Sequence, residues 1–303
     1  MKYYEDIRQL IGNTPLVKLN HMDFPKEVNV FAKLELWNPG GSVKDRMGEA
    51  LIRDAEERGI LKPGSTILEA TAGNAGIGIA LAALGKGYRV IFAVPEKFSV
   101  EKQAIMRALG AEIVHTPLEA GMQGAFAKVE ELRRQVNDPV LLSQFTNPQN
   151  PLSHYQTTGP EIYRDLDGQV DYLVAGAGSG GTLSGAARFL KEKIPQLKCV
   201  MADPCGSTMG GGDPGCYSIE GIGNTFMPKT MDMDLVDQVV KITDQEALRE
   251  VRLLAAKEGI LAGSSSGAAL TAARQTAATA EKGSRIVVIL PDRGDRYLSK
   301  NLF

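Results

Sequence analysis

Four stretches of this 303-residue chain carry residue types at spacings that suit chemistry. In D-Y-L-V-A-G-A-G-S-G-G-T (171–182) an apolar run passes into glycines and then into a helical pattern. Backbone N–H groups at a helix N-terminus bind phosphate, and glycines let the anion approach closely. Gly176, Gly178 and Gly181 also satisfy G-x-G-x-x-G, and Asp203 ends the next strand, where a dinucleotide-binding unit keeps its ribose acid. NAD and a monophosphate cofactor therefore both suit this turn. In N-P-G-G-S-V-K-D-R (38–46), Ser42 and Asp45 have the spacing of a capping box that opens a helix. Lys44 then falls in the first turn, where the macrodipole disfavours a cation. A lysine so placed is more useful as a neutral amine, able to condense with an aldehyde as a Schiff base. I-L-E-A-T-A-G-N-A-G (67–76) offers a second helix N-terminus suited to a carboxylate or phosphate. L-A-G-S-S-S-G (261–267) opens an alanine-rich helix with three serines, and N-capping accounts for one of them.

The elements that must position these turns alternate. Strand-like runs fall at 28–34, 66–68, 89–94, 112–115, 172–175, 199–202 and 285–290. Helical patterns fall at 45–57, 77–84, 100–109, 120–135, 181–193, 244–258 and 267–280. Such alternation predicts parallel sheets built from βαβ units. The runs R-V-I-F-A-V and R-I-V-V-I-L are apolar throughout, as in strands covered on both faces. The polar stretch Q-F-T-N-P-Q-N-P (144–151) reads as a crossing between domains, and the glycine-rich stretch 203–214 as a mobile surface loop.

Composition narrows the function classes. Glycine is over-represented at 33 residues, without the G-X-Y period of collagen. The 34 basic and 36 acidic residues leave a net charge of −2 and no basic domain, so nucleic acid is not an expected partner. Cys199, Cys205 and Cys216 form no C-x-x-C pair, which excludes a zinc ribbon and a disulfide scaffold. His21 and His115 lack partners at metal spacing, so no metal is expected. His154 reads as a packing histidine. The first 20 residues lack an apolar core and no apolar run approaches the length of a membrane helix, so the expectation is a cytoplasmic protein with no membrane partner.

Taken in order, the motifs I-G-N-T-P-L (11–16), K-L-E (33–35), N-P-G-G-S-V-K-D-R (38–46) and T-A-G-N-A-G (71–76) run through the first half of the chain. T-T-G-P-E (157–161), G-A-G-S-G-G-T (176–182), E-G-I-G (220–223), S-S-S-G (264–267) and D-R-Y-L-S (295–299) follow. This set resembles the cysteine synthase and cystathionine β-synthase family of fold-type II pyridoxal-phosphate enzymes, on its O-acetylserine-using bacterial branch. The resemblance implies a tryptophan synthase β-like α/β fold: two three-layer αβα domains with the cofactor in the cleft between them. Residues 44–144 would form a smaller, mobile substrate-binding domain, and 1–43 with 145–303 the larger cofactor-binding domain.

The resemblance also implies roles. Lys44 would be catalytic and bind pyridoxal 5'-phosphate covalently, Asn74 would meet the cofactor's phenolic oxygen, and Ser265 its ring nitrogen. Gly178, Ser179, Gly180, Gly181 and Thr182 would cradle its phosphate. Thr71, Gly73 and Gln144 would hold the substrate carboxylate, with Gly221 lining the cleft; Ala72 and Ala75 stand in the same loop where the family carries hydroxyl residues. Thr225 stands where the branch usually has an acid, and D-R-G-D-R (292–296) resembles the B-type cysteine synthases. The implied reaction is β-replacement on O-acetyl-L-serine through an α-aminoacrylate, with sulfide giving L-cysteine and acetate. Homocysteine as acceptor, or L-cysteine as a donor that releases hydrogen sulfide, are the alternatives, and a NAD-dependent oxidoreductase is the alternative of another class. A homodimer is implied, with Tyr3, Tyr4 and Ile7 set to cover a partner subunit.

Overall fold

A computed structural model describes residues 3–71, 73–96 and 99–303. The first half of the chain runs β1 (Leu16–Lys18), β2 (Asn29–Leu34), α1 (Lys44–Glu57), β3 (Thr66–Ala70), α2 (Asn74–Ala83), β4 (Arg89–Pro95), α3 (Val100–Ala108), β5 (Glu112–Thr116), α4 (Gly121–Arg133) and β6 (Pro139–Leu141). The second half runs α5 (Gln149–Gln156), α6 (Thr158–Asp165), β7 (Tyr172–Gly176), α7 (Gly181–Lys193), β8 (Lys198–Pro204), β9 (Gln238–Ile242), α8 (Asp244–Glu258), α9 (Ser264–Thr279) and β10 (Arg285–Leu290).

Two sheets result. The smaller has the order β5-β4-β3-β6 and is parallel throughout. The larger has the order β1-β2-β10-β7-β8-β9, with β1 alone antiparallel to its neighbour. β10 is central: Val288 lies opposite Ala32 on one side and Val174 on the other. Its side chains alternate between two cores. Ile286, Val288 and Leu290 pack with alanines of α9, whereas Val287 and Ile289 pack with Leu183, Ala186 and Leu190 of α7. In the smaller sheet, Ile67 and Phe92 face α1 and α2, and Leu68 and Ile91 face Ala125 and Val129 of α4. Each sheet is thus covered on both faces, the three-layer arrangement that its unbroken apolar strands require. At about 1.5–3 kcal/mol per fully buried branched side chain, the five such residues of β10 tolerate polar substitution poorly.

Three expectations change. The proline-rich stretch does not run as a loop to residue 151, because α5 begins at Gln149. Pro151 falls in the first helical turn, where a missing N–H costs nothing. The 42–45 capping box does not form. Val43 is already helical (φ −55°, ψ −21°), and Asp45 turns back to accept from Gly40 N at 2.5 Å. Burial there pushes the Asp45 carboxyl up to about 7. Finally, β1, β6 and β9 are additional strands; two are three residues long, and β9 follows a long irregular segment.

Candidate functional site

In parallel sheets, ligands bind beyond the carboxyl ends of the strands. A cavity of about 610 Å³ occupies that position, bordered by the turns that leave β3 and β7. Lys44, Asn74, Gly178, Ser179, Gly180, Thr182 and Ser265 all line it. So do Thr71, Gly73, Ala75, Gln144 and Gly221, while Gly181 sits behind the lining in the first turn of α7. Ala72 lies outside the described residues.

Lys44 is the first residue of α1, and its Nζ approaches Ser179 Oγ at 3.4 Å. Burial pulls its ammonium down to about 8, against an opposing pull from Asp292. A lysine in that state supplies neutral amine near neutral pH. Arg46, two residues on, anchors the helix. Its guanidinium donates to both oxygens of Glu35 (2.7 and 2.8 Å) and to both oxygens of Glu161 (2.7 Å each), all three groups being buried. Lys33 and Thr14 complete the network, at 2.8 Å from Glu161 and 2.6 Å from Glu35.

The turn after β7 holds its backbone open. Gly180 is left-handed (φ +82°), and a Cβ on Gly178 would meet Gly221 O at 2.3 Å. The first bond into α7 runs from Ser184 N to Gly180 O, so the N–H groups before Ser184 have no acceptor within the helix. Two residues support this turn from behind. Asn150 Nδ2 donates to Ser179 Oγ (2.9 Å), and the fully buried His154 bridges Thr182 Oγ1 (3.2 Å) and Thr158 Oγ1 (2.8 Å). Burial, helped by Arg46, pulls His154 down to about 3, so it stays neutral. His154 packs as the sequence suggests, but against a site residue. No local signal marks Asn150.

The turn after β3 is organised by Thr71, whose Oγ1 accepts from Gly73 N (3.2 Å) and Gly76 N (3.0 Å). Gly73 adopts φ +140°, a conformation open to glycine. Glu69 accepts from the backbone N–H groups of Ser143 (2.8 Å) and Gln144 (3.1 Å) and so sets Gln144 beside this turn. Asn74 is fixed at both ends: Nδ2 donates to Asp292 Oδ2 (2.6 Å), and Oδ1 accepts from Arg296 (2.9 Å). Ser265, in the first turn of α9, also lines the cavity.

The dinucleotide reading loses its acid. Asp203 is buried, and its Oδ2 accepts from Lys241 Nζ (2.6 Å) and Gly210 N (3.0 Å). Among the described residues no three His, Cys, Asp or Glu gather as metal ligands, and no helix is long and apolar enough to cross a membrane. Cys199 is buried in β8; Cys205 and Cys216 are exposed.

A lysine amine, a glycine-built turn before a helix and a neutral hydroxyl in one cavity fit a phosphorylated aldehyde with a heterocyclic ring. The chain belongs to the pyridoxal-phosphate dependent enzymes, whose family pattern matches residues 7–292. Its cofactor is pyridoxal 5'-phosphate. The chain is 52% identical to the O-acetylserine dependent cystathionine beta-synthase of Bacillus subtilis (strain 168), covering 100% of this chain and 99% of that protein. It is 46% identical to a cysteine synthase of Helicobacter pylori, covering 98% of each. The crystal structure of an O-acetylserine dependent cystathionine beta-synthase from Helicobacter pylori superposes with a TM-score of 0.96 at 45% identity, covering 100% of both chains. The family places this chain among the enzymes of cysteine synthase and cystathionine β-synthase type.

Proposed function

We propose that the chain catalyses β-replacement on O-acetyl-L-serine, in which a sulfur nucleophile takes the place of acetate. The observation that carries this reading is the convergence of Lys44 Nζ, the N-terminus of α7 and the N-terminus of α2 on one cavity. Bound through its aldehyde at Lys44, the cofactor supplies an electron sink for charge that develops at the substrate Cα. The N–H groups of residues 178–182, with the Ser179 and Thr182 hydroxyls, hold its phosphate. Ser265 offers a neutral hydroxyl to the ring nitrogen, and Asn74 a donor to the phenolic oxygen.

Thr71, the backbone of residues 73–75 and Gln144 receive the substrate carboxylate at the start of α2, with Gly221 across the cleft. Lys44, once displaced by the substrate amine, takes the Cα proton on Nζ. Residues 44–144 act as the smaller unit that closes over the substrate and excludes water. The working form is a homodimer with the exposed Tyr3, Tyr4 and Ile7 against the partner.

Sulfide, giving L-cysteine, is the acceptor in the first reading: it asks for no further recognition group, and Thr225 provides no carboxylate in the cavity wall. Homocysteine is the second reading. The cavity volume leaves room for it, and two of the relatives named above carry the cystathionine beta-synthase name. A matrix of O-acetylserine, serine and cysteine against sulfide, homocysteine and no acceptor decides between them. L-cysteine from O-acetylserine and sulfide is expected as the fastest product. Fast cystathionine formation with negligible use of sulfide overturns the first reading in favour of the second.

A further inference from the structure

Lys102, near the start of α3, is a buried lysine that the reading above does not use. Its Nζ donates to Glu220 Oε2 (2.9 Å) and to Tyr297 OH (2.8 Å), and stands 4.0 Å over the Tyr297 ring. Glu220 opens the E-G-I-G loop, and Tyr297 lies in the last turn of the chain, so both partners belong to the larger-sheet side of the cleft. The stem of Lys102 faces the other wall: a Cβ on Gly73 would lie 2.5 Å from Lys102 Cδ. Tyr297 OH in turn donates to Asp292 Oδ2, the oxygen that accepts from Asn74. One side chain thus touches the 71–76 turn through its methylenes and the 220–223 loop through its ammonium. Lys102, Gly73, Asn74, Glu220 and Gly221 all line the cavity.

A buried ion pair adds little stability over apolar side chains of equal volume, but removing one partner strands the other charge. The fold does not depend on this pair alone. Ser99 Oγ donates to Arg296 O (2.7 Å), Ser299 N donates to Glu101 Oε1 (2.8 Å), and Glu220 keeps a second partner in Lys300 (2.5 Å).

We propose that Lys102 is a positioning residue that sets the spacing between the 71–76 turn and the 220–223 loop, and thereby the affinity for the amino-acid donor. This rests on the reading of the 71–76 turn as the carboxylate site. Cofactor content is expected to survive the loss of Lys102, because the turn after β7 rests on Asn150 and His154, α1 rests on Arg46, and Asn74 keeps its own bonds to Asp292 and Arg296.

The test uses the holoenzyme with Lys102→Met, Lys102→Arg, Glu220→Gln and the Lys102→Met/Glu220→Gln double variant. Two readouts are taken: KM and kcat for O-acetyl-L-serine, and Kd for L-serine titrated into the cofactor's visible absorbance. Lys102→Met is expected to raise KM and Kd by about tenfold or more, with kcat within about threefold and cofactor content unchanged. Lys102→Arg recovers both to within about threefold, and the double variant is no worse than Lys102→Met alone. KM and Kd within about twofold of the wild type, or a joint fall of kcat and cofactor content, overturns the proposal. If Lys102→Met does not fold, Glu220→Gln decides: a raised Kd supports the role and an unchanged Kd removes it. A wild-type protein without turnover on O-acetylserine would sink the functional reading, and the L-serine titration would still test Lys102.

Discussion

A Cβ on Gly78 would lie 2.4 Å from the backbone carbonyl oxygen of Lys44. The contact is reciprocal, since a Cβ on Gly48 would lie 2.4 Å from the carbonyl oxygen of Gly78. Helices α1 and α2 therefore cross backbone to backbone at the position that carries the lysine, one turn after Asn74. No flexible side chain is present to yield. Gly78→Ala should push α1 outward, lower stability by about 1–3 kcal/mol or more, and reduce cofactor content. Urea unfolding and cofactor absorbance check both, and an alanine variant that keeps full cofactor and stability would refute this view of the crossing.

Arg46 holds α1 from its other side. Burial pushes Glu161 up, but Arg46 and Lys33 outweigh it and hold the carboxyl at about 2. Arg46→Met leaves Glu35 and Glu161 buried without their shared cation, at a cost of about 3–5 kcal/mol. The sign with pH follows. A depressed carboxyl contributes stability above its ordinary value of 4.5 and loses it as pH falls toward about 2. The difference between wild type and Glu161→Gln in urea midpoint should therefore shrink as pH falls through that window, and a constant difference would contradict the network.

The Lys44 amine gives a second pH signature. Its value drops from 10.5 to about 8, so between those limits the unfolded chain holds a proton that the folded chain has released. Apoprotein stability should gain from Lys44 as pH rises through that window and lose the gain as pH falls through about 8. Cofactor uptake by apoprotein should speed up toward pH 8 and level off above it. Lys44→Met should flatten the stability profile; a profile identical to wild type would mean that another group titrates.

His154 supports the turn after β7 as a neutral ring. Its NMR signals should not titrate between about pH 5 and 8, and His154→Phe should weaken cofactor affinity about tenfold by stranding the Thr182 hydroxyl. A His154 that titrates near 6.5, or a phenylalanine variant with unchanged affinity, would remove it from the site.

The glycine turns are legible because their residue types say what the local backbone can do: a strand that runs into glycines and then a helix presents free N–H groups wherever it occurs, whereas the role of Ser265 comes from the family resemblance alone. The supports are not legible in that way. Arg46 meets Glu161 across 115 residues and Lys102 meets Glu220 across 118, and local pattern carries no register over such distances. The buried Asp203 shows the converse. Its position after a strand suited a ribose acid, but Lys241, 38 residues on, claims the carboxylate. The short strands β1 and β6 were hidden because three residues give no period to read.

The central claim is that Lys44 holds the cofactor. Borohydride treatment of the holoenzyme followed by peptide mass mapping tests it most directly. A phosphopyridoxyl group on the peptide that contains Lys44, lost in Lys44→Ala, is the predicted result. The same group on another lysine, or on none, would contradict the account.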